Sequence, residues 1–270
     1  MNFKCLICRN THASLFLDCT AFRYMRCREC GLVMQDPYPR SEAVAGIYRE
    51  DYYKYELVNE ENFFNLMILG LKDIGFSSLF AQPGKILDIG CATGRLLRYF
   101  QEQGWEASGI ELCKPSAEHA RTRYGLAVEC ADIDIYTPKP AHFNFIHSSH
   151  VIEHVKNPAG FLEKIYTALL PGGYAAVTTP CLDSLQFRLY KKKWRSAIPQ
   201  HLQLFSKNVF KRAANMSKLI IEKQVSWGGI PAEAAISPVM KFMKKTTDQL
   251  AKKINIGDVM LFLLRKPETL

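Results

Sequence analysis

The run Lys85 to Leu97, KILDIGCATGRLL, leaves this chain few architectures to adopt. Lys85, Ile86, Leu87 and Ile89 have strand character around Asp88, and the turn Gly90, Cys91, Ala92, Thr93, Gly94 leads into residues with helical spacing. A buried strand that turns through glycines into a helix belongs to a sheet with helices on its faces. Such a turn presents backbone amides to a ligand with few Cβ atoms in the way. The third glycine of G-x-G-x-x-G is missing, and no Lys-Ser or Lys-Thr pair follows as a phosphate-binding P-loop requires. Gly90-x-x-x-Gly94 therefore suits a small zwitterionic cofactor.

Glu106 to Ile110 read as a second strand that ends at Glu111, where a carboxylate can accept both hydroxyls of a ribose. A third short strand, Ala127 to Cys130, runs into Asp132, placed to read an adenine edge. This order of glycines, ribose acid and adenine-side Asp resembles class I S-adenosylmethionine-dependent methyltransferases, and LLPGGYAAVTTP, Leu169 to Pro180, resembles the start of that family's fifth strand. The resemblance covers roughly Gly84 to the C-terminus. It implies an α/β, Rossmann-like fold with a seven-stranded doubly wound sheet. It also implies S-adenosylmethionine held by Asp88, Gly90, Cys91, Gly94, Glu111, Leu112, Asp132 and Ile133.

Upstream, Cys5-x2-Cys8 and Cys27-x2-Cys30 are separated by 18 residues, the spacing of a four-cysteine zinc ribbon. Each pair presents two thiolates to one tetrahedral ion, and four thiolates leave no position for water, so this Zn2+ is expected to be structural. It would stabilise a piece too small to fold on its own core. Arg26 to Tyr53 resembles the segment that joins a zinc ribbon to a methyltransferase domain, and its aromatics Tyr38, Tyr48, Tyr52 and Tyr53 are expected to pack on the main domain or over the cofactor cleft. Apolar residues from Phe63 to Ile74 recur at helical spacing and predict a covering helix over 59–79. The expected division is a zinc ribbon at 1–40, linker and covering helix at 41–83, and the methyltransferase domain at 84–270, with substrate-side insertions at 181–205 and 228–256.

At 270 residues with 48% apolar content, the chain can bury one α/β domain and a small accessory unit. No apolar run reaches membrane-spanning length and the start MNFKCLICRN has no secretory pattern, so a cytoplasmic protein is expected. The other five cysteines, Cys19, Cys91, Cys113, Cys130 and Cys181, would be free thiols there. The net charge of +9 resides in the C-terminal third: Arg188 to Lys253 holds 15 Lys plus Arg against 3 acids. Such a surface suits phosphorylated substrates, nucleic acid, anionic lipid, or solvent alone. The basic amphipathic stretch 236–254 suggests a helix that packs on the domain, closes as a lid, or makes peripheral membrane contact.

After a fourth strand, Phe143 to His147, comes HSSHVIEHVKNP, His147 to Pro158. It resembles the segment after strand four in ubiquinone-biosynthesis O-methyltransferases, some of which hold a divalent ion with E-x2-E-H. Here His150 replaces the first Glu of that pattern, ahead of Glu153 and His154, and hard cations prefer oxygen ligands. The resemblance places Ser148 and Ser149 on the methionine part of the cofactor. His150 and His154 are candidate general bases, since an imidazole can take a hydroxyl proton at neutral pH. HLQLFS, from His201, resembles the substrate-side insertion of the same enzymes and makes His201 a third candidate. The expected activity is methyl transfer to a small molecule, O-methylation foremost, on a sugar, lipid-linked or natural-product acceptor. RNA methylation and cofactor binding without catalysis are the alternatives.

Overall fold

The computed structural model describes residues 3–38, 50–229 and 238–268, apart from the side chains of 238–243 and 245. Tyr48 and residues 230–237 of the second insertion lie outside the described residues. In chain order the elements are β1 (Ala13–Asp18), β2 (Arg23–Cys27), β3 (Val33–Asp36), α1 (Glu50–Ile74), β4 (Lys85–Ile89), α2 (Arg95–Glu102), β5 (Glu106–Glu111), α3 (Lys114–Tyr124) and β6 (Ala127–Cys130). They continue with β7 (Phe143–Ser149), α4 (Pro158–Ala168), β8 (Leu169–Pro180), α5 (Leu185–Tyr190), β9 (Gln203–Leu204), α6 (Lys207–Met216), β10 (Ile220–Trp227), α7 (Pro238–Lys253) and β11 (Val259–Arg265).

The expected seven-stranded sheet is present, ordered β10-β11-β8-β7-β4-β5-β6. Its strands are parallel from β8 to β6, whereas β11 runs antiparallel between β8 and β10. Parallel strands covered on both faces are continuously apolar, and β8 shows it: Ala175, Ala176 and Val177 are all fully buried. The chain leaves β4 toward β5 and β6, then returns to place β7 on the other side of β4. That reversal opens a crevice at the carboxyl ends of the strands.

Helix ends follow local chemistry. Ser206 caps α6, its Oγ accepting from Val209 N. Helix α4 starts at Pro158, because Asn157 accepts from Gly160 N and proline suits the first helical position. Helix α1 begins at Glu50, nine residues before the expected start, with Glu50 and Asp51 at its positive end. Gly70 brings α1 against the sheet; a Cβ there would stand 3.1 Å from Leu261 Cδ1. On α7, Leu250 and Ile254 are more than half exposed, and Ala251 is buried. The backbone at Gly229 comes close to this helix: a Cβ there would lie 2.7 Å from the Thr247 backbone.

The N-terminal unit is not separate from the main domain. Its antiparallel sheet β1-β2-β3 is completed by β9 from the first insertion, pairing Val33 with Leu204 and Met34 with Gln203. Ile7, Leu32 and Met34 share one apolar cluster with Ile152, Val155 and Phe205. A unit of some 35 residues cannot cover its own sheet, so it leans on the larger domain. Among the described residues no helix is long and apolar enough to cross a membrane.

Phe210 of α6 stacks on Phe262 of β11 with centroids 4.2 Å apart and planes 8° from parallel, both rings fully buried. Phe210→Ala is expected to cost about 3–5 kcal/mol. Urea unfolding checks this, with the midpoint falling and the slope unchanged.

Candidate active site

A cavity of about 690 Å3 fills the crevice at the carboxyl ends of the strands. One half is formed by Asp88 to Ala92 after β4, Ile110 to Leu112 after β5, and Asp132 to Asp134 after β6. The glycine turn is not the set of bare amides the sequence suggested. Gly90 N and Cys91 N both donate to Ile110 O, Ala92 N donates to Glu111 Oε2, and Gly94 N donates to Cys91 O. Gly90, at φ 78°, is needed for close approach instead, since a Cβ there would meet Val151 Cγ2 at 2.5 Å.

Glu111 holds two elements together: its Oε2 takes the Ala92 amide and its Oε1 the Cys113 amide at the start of α3. Burial raises its pKa against those amides, and the Asp88 charge adds to the rise. Asp88 lies 2.7 Å from His147 Nδ1, both side chains almost wholly buried. Asp134 accepts from Lys156 N and so ties the loop after β6 to the loop after β7.

At the next strand end, His150 adopts a left-handed backbone, φ 57°, with its amide bonded to Thr178 O. Its Nδ1 lies 2.9 Å from Glu153 Oε1, while Glu153 Oε2 accepts from Thr179 Oγ1 at 2.9 Å. Glu153 has no exposed surface. Burial works to raise its pKa, but the His150 hydrogen bond and the nearby histidine charges outweigh that and hold it at about 2. An ionised carboxylate only accepts, so His150 donates from Nδ1 and keeps a lone pair on Nε2.

His154 Nδ1 donates to Gln200 O at 2.9 Å and His201 Nδ1 to Ser196 O at 2.8 Å. Burial lowers both pKa values, that of His201 to about 4, so neither ring is charged at neutral pH. Glu153, His154 and His201 bring ligand atoms within 4.8 Å of one another, and His150 is outside that group. The Glu153 charge is already met by His150 and Thr179, without an ion.

The expected residues Asp88, Gly90, Cys91, Glu111, Leu112, Asp132, Ile133, Ser149, His150, His154 and His201 all line the cavity. Two others do not. Ser148 is fully buried with its hydroxyl on Ile89 O, because alternate strand residues point to opposite faces and β7 turns His147 and Ser149 to the cavity. Gly94, at φ 84°, supports α2 and packs under α3, where a Cβ would meet Ala120 and Leu126 within 2.8 Å. Sequence reasoning missed Glu56, His147, Asp134 and Arg195. A helix row continued back from Phe63 through Asn59 or Glu60 would have reached Glu56.

The opposite half of the cavity is apolar: Phe63, Met67 and Gly70 of α1 face Trp227, Val259 and Leu261. Among the expected linker aromatics, Tyr52 lines the cavity, Tyr53 bonds His119, and Tyr38 donates to Gln203 Oε1.

In the N-terminal unit Cys5 and Cys30 have sulfurs 3.4 Å apart, Cys8 and Cys27 3.5 Å, and all four lie within 4.8 Å. A tetrahedral Zn2+ with bonds of about 2.3 Å spaces its sulfurs about 3.8 Å apart, so the four thiols fit the ion. The hydrogen bond between Cys5 and Cys30 lowers the pKa of Cys5 and raises that of Cys30, so the first proton of the pair leaves from Cys5.

A methyltransferase-domain sequence profile matches residues 62–217, more than half of the chain. The chain belongs to this methyltransferase family. With its seven-stranded sheet, it falls in the class I S-adenosylmethionine-dependent group. The methyltransferase is 31% identical over 105 residues to a malonyl-(acyl-carrier protein) O-methyltransferase of Salmonella typhimurium, covering 38% of this chain and 42% of that one. It is 30% identical over 115 residues to a ubiquinone biosynthesis O-methyltransferase of Idiomarina loihiensis, covering 40% and 46%. The matched part thus spans under half the length of these relatives. An S-adenosylmethionine-dependent methyltransferase structure from Archaeoglobus fulgidus shares the fold, with TM-score 0.58, 17% identity, and 78% and 99% of the two chains covered.

Glu56 of α1 is nearly buried beside Glu111, with the Ser116 hydroxyl donating to it. Burial first, and the Glu111 charge second, push it up to about 8. The folded form therefore binds a proton that the unfolded form releases near 4.5, so this contribution to stability is full below about pH 4.5 and is lost as pH rises through about 8. Between about pH 5 and pH 8.5 the wild type should lose on the order of 2–4 kcal/mol relative to Glu56→Gln. Chemical denaturation of both proteins at the two pH values measures the difference.

Proposed function

We propose that this methyltransferase transfers the methyl group of S-adenosylmethionine to a hydroxyl of a small molecule, with His150 as general base. The observation that carries the proposal is the His150–Glu153 pair, a partly exposed imidazole held by a fully buried carboxylate at the end of β7. It supports a base with its Nε2 lone pair turned outward.

The cofactor half of the cavity is lined by Asp88, Glu111 and Asp132, an acidic surface suited to a cofactor with sulfonium and ammonium charges, and by the protonated Glu56. In this reading Asp88, Gly90, Cys91, Glu111, Leu112, Asp132, Ile133 and Ser149 hold it, while Gly94 and Ser148 shape the turn and strand from behind. When bound, it supplies an electrophilic methyl group and leaves as S-adenosylhomocysteine.

The chain's own part is alignment and proton removal. The apolar half orients the acceptor so that its oxygen lies in line with the methyl–sulfur bond, and orientation of this kind supplies much of the acceleration. As the new carbon–oxygen bond forms, the hydroxyl proton passes to His150 Nε2, and Glu153 stabilises the imidazolium. His154 and His201, whose protonation burial opposes, act as neutral walls of the acceptor site.

The O-methyltransferases among the relatives favour oxygen as acceptor and a small or carrier-linked substrate over RNA. Within the basic stretch, Lys244 is paired with Asp248 and Lys252 with Asp73, so these two charges are met within the protein. Residues 1–40 are assigned as a structural zinc ribbon, 41–83 as linker and covering helix, and 84–270 as the transferase domain. With four cysteines assigned to zinc, the other five stand outside any disulfide, which fits a reducing, cytoplasmic setting.

Incubation with methyl-labelled cofactor and fractionated cell extract should place label in small-molecule fractions, and His150→Gln should lower kcat about a hundred- to ten-thousand-fold. Label confined to RNA overturns the acceptor class. Full activity in His150→Gln overturns the base.

A further inference from the structure

The segment from Ile198 to Leu204 carries His201 into the cavity and is held from two sides. On the cavity side, Glu153 O accepts from Leu202 N at 2.8 Å, and Gln203 Nε2 donates to Ile152 O and Val155 O at 2.7 Å each. On the other side stands the four-cysteine unit. Gln35, at the end of β3, donates from Nε2 to Pro199 O at 2.8 Å, His201 O at 3.0 Å and Ile198 O at 3.3 Å. Tyr24 of β2 places its hydroxyl 2.8 Å from His201 O and 3.0 Å from Ile198 O. Both side chains are buried, and Gln35 N also donates to Leu202 O.

Buried carbonyls without partners are costly, so these donors decide which conformation the segment can keep. Three carbonyls in four residues, those of Ile198, Pro199 and His201, depend on side chains from the metal-binding unit. The His201 ring sits on that same backbone, with its Nδ1 turned to Ser196 O and its ring edge-to-face with that of His154, centroids 4.8 Å apart and planes 77° from parallel.

We infer that the four-cysteine unit is a working part of the acceptor site: Gln35 and Tyr24 are positioning residues that set the place and tautomer of His201 and, through it, His154. This rests on the methyl-transfer reading for its kinetic consequence, though not for its structural one. The unit's ion then has a second role. By holding the turn from β2 into β3, where Cys27 and Cys30 lie, it keeps the paired Tyr24 and Gln35 aimed at the segment.

The test compares full-length wild type with Gln35→Met, which keeps length and loses the donors, and Tyr24→Phe, which loses one hydroxyl. Leu15→Ser, on the exposed side of β1, is the control within the same unit. Zinc content per chain is measured for each protein to confirm that the four-cysteine site is intact. Long-range 1H–15N spectra then read the imidazole nitrogens, with His201→Gln used to assign the His201 signals. The expected result is that Gln35→Met and Tyr24→Phe shift or broaden the His201 and His154 signals and lower kcat about tenfold or more. Zinc content, the KM for S-adenosylmethionine and the Leu15→Ser spectra should stay at wild-type levels. Unchanged His201 and His154 signals in both variants, with zinc retained, overturn the inference. So does parallel loss of cofactor binding and thermal stability in both variants, which marks a general folding role. If the wild type itself transfers no methyl group, the methyl-transfer reading fails, while the spectra still decide the positioning claim.

Discussion

Everything around the cavity converges on Glu153. Its carboxylate is fully buried, and its two oxygens reach His150 on one side and Thr179 of β8 on the other. Its backbone carbonyl takes Leu202 N, so the same residue anchors the segment that β9 ties to the N-terminal sheet. A buried charge that lost these partners would be expensive, so the arrangement persists as a whole or is lost as a whole. The loop after β7, the end of β8 and the first insertion therefore behave as one construction, although they are separate in sequence.

The cavity's two halves divide the chemical work. The half over β4, β5 and β6 is acidic and built from strand ends, where the backbone fixes each carboxylate. The half between α1 and the β10–β11 edge is apolar, with Trp227 and Leu261 opposite Met67. A charged, compact ligand belongs in the first and a less polar body in the second. The histidines stand at the junction, and burial keeps two of them neutral while His150, more open to solvent, faces an ionised partner.

Much of this was legible because parallel strands advertise themselves. Asp88, Glu111 and Asp132 each follow a short apolar run, and a residue in that position has nowhere to go but the carboxyl rim. The four cysteines were legible from spacing alone. What was hidden had physical reasons. Ser148 looks equivalent to Ser149 until strand alternation sends it to the other face. The amides of the glycine turn look free until Ile110 O and Glu111 are seen to bond them. Glu56 lies on a helix whose first turns carry Tyr and Glu rather than an apolar stripe. Pairing of β3 with β9 involves two residues per strand, too few for any periodic signal, and unites segments from opposite ends of the chain.

Titration calorimetry of the purified, zinc-loaded protein with S-adenosylmethionine and with S-adenosylhomocysteine tests the central claim most directly. The account predicts saturable binding of both compounds at one site per chain. No detectable binding of either would contradict it.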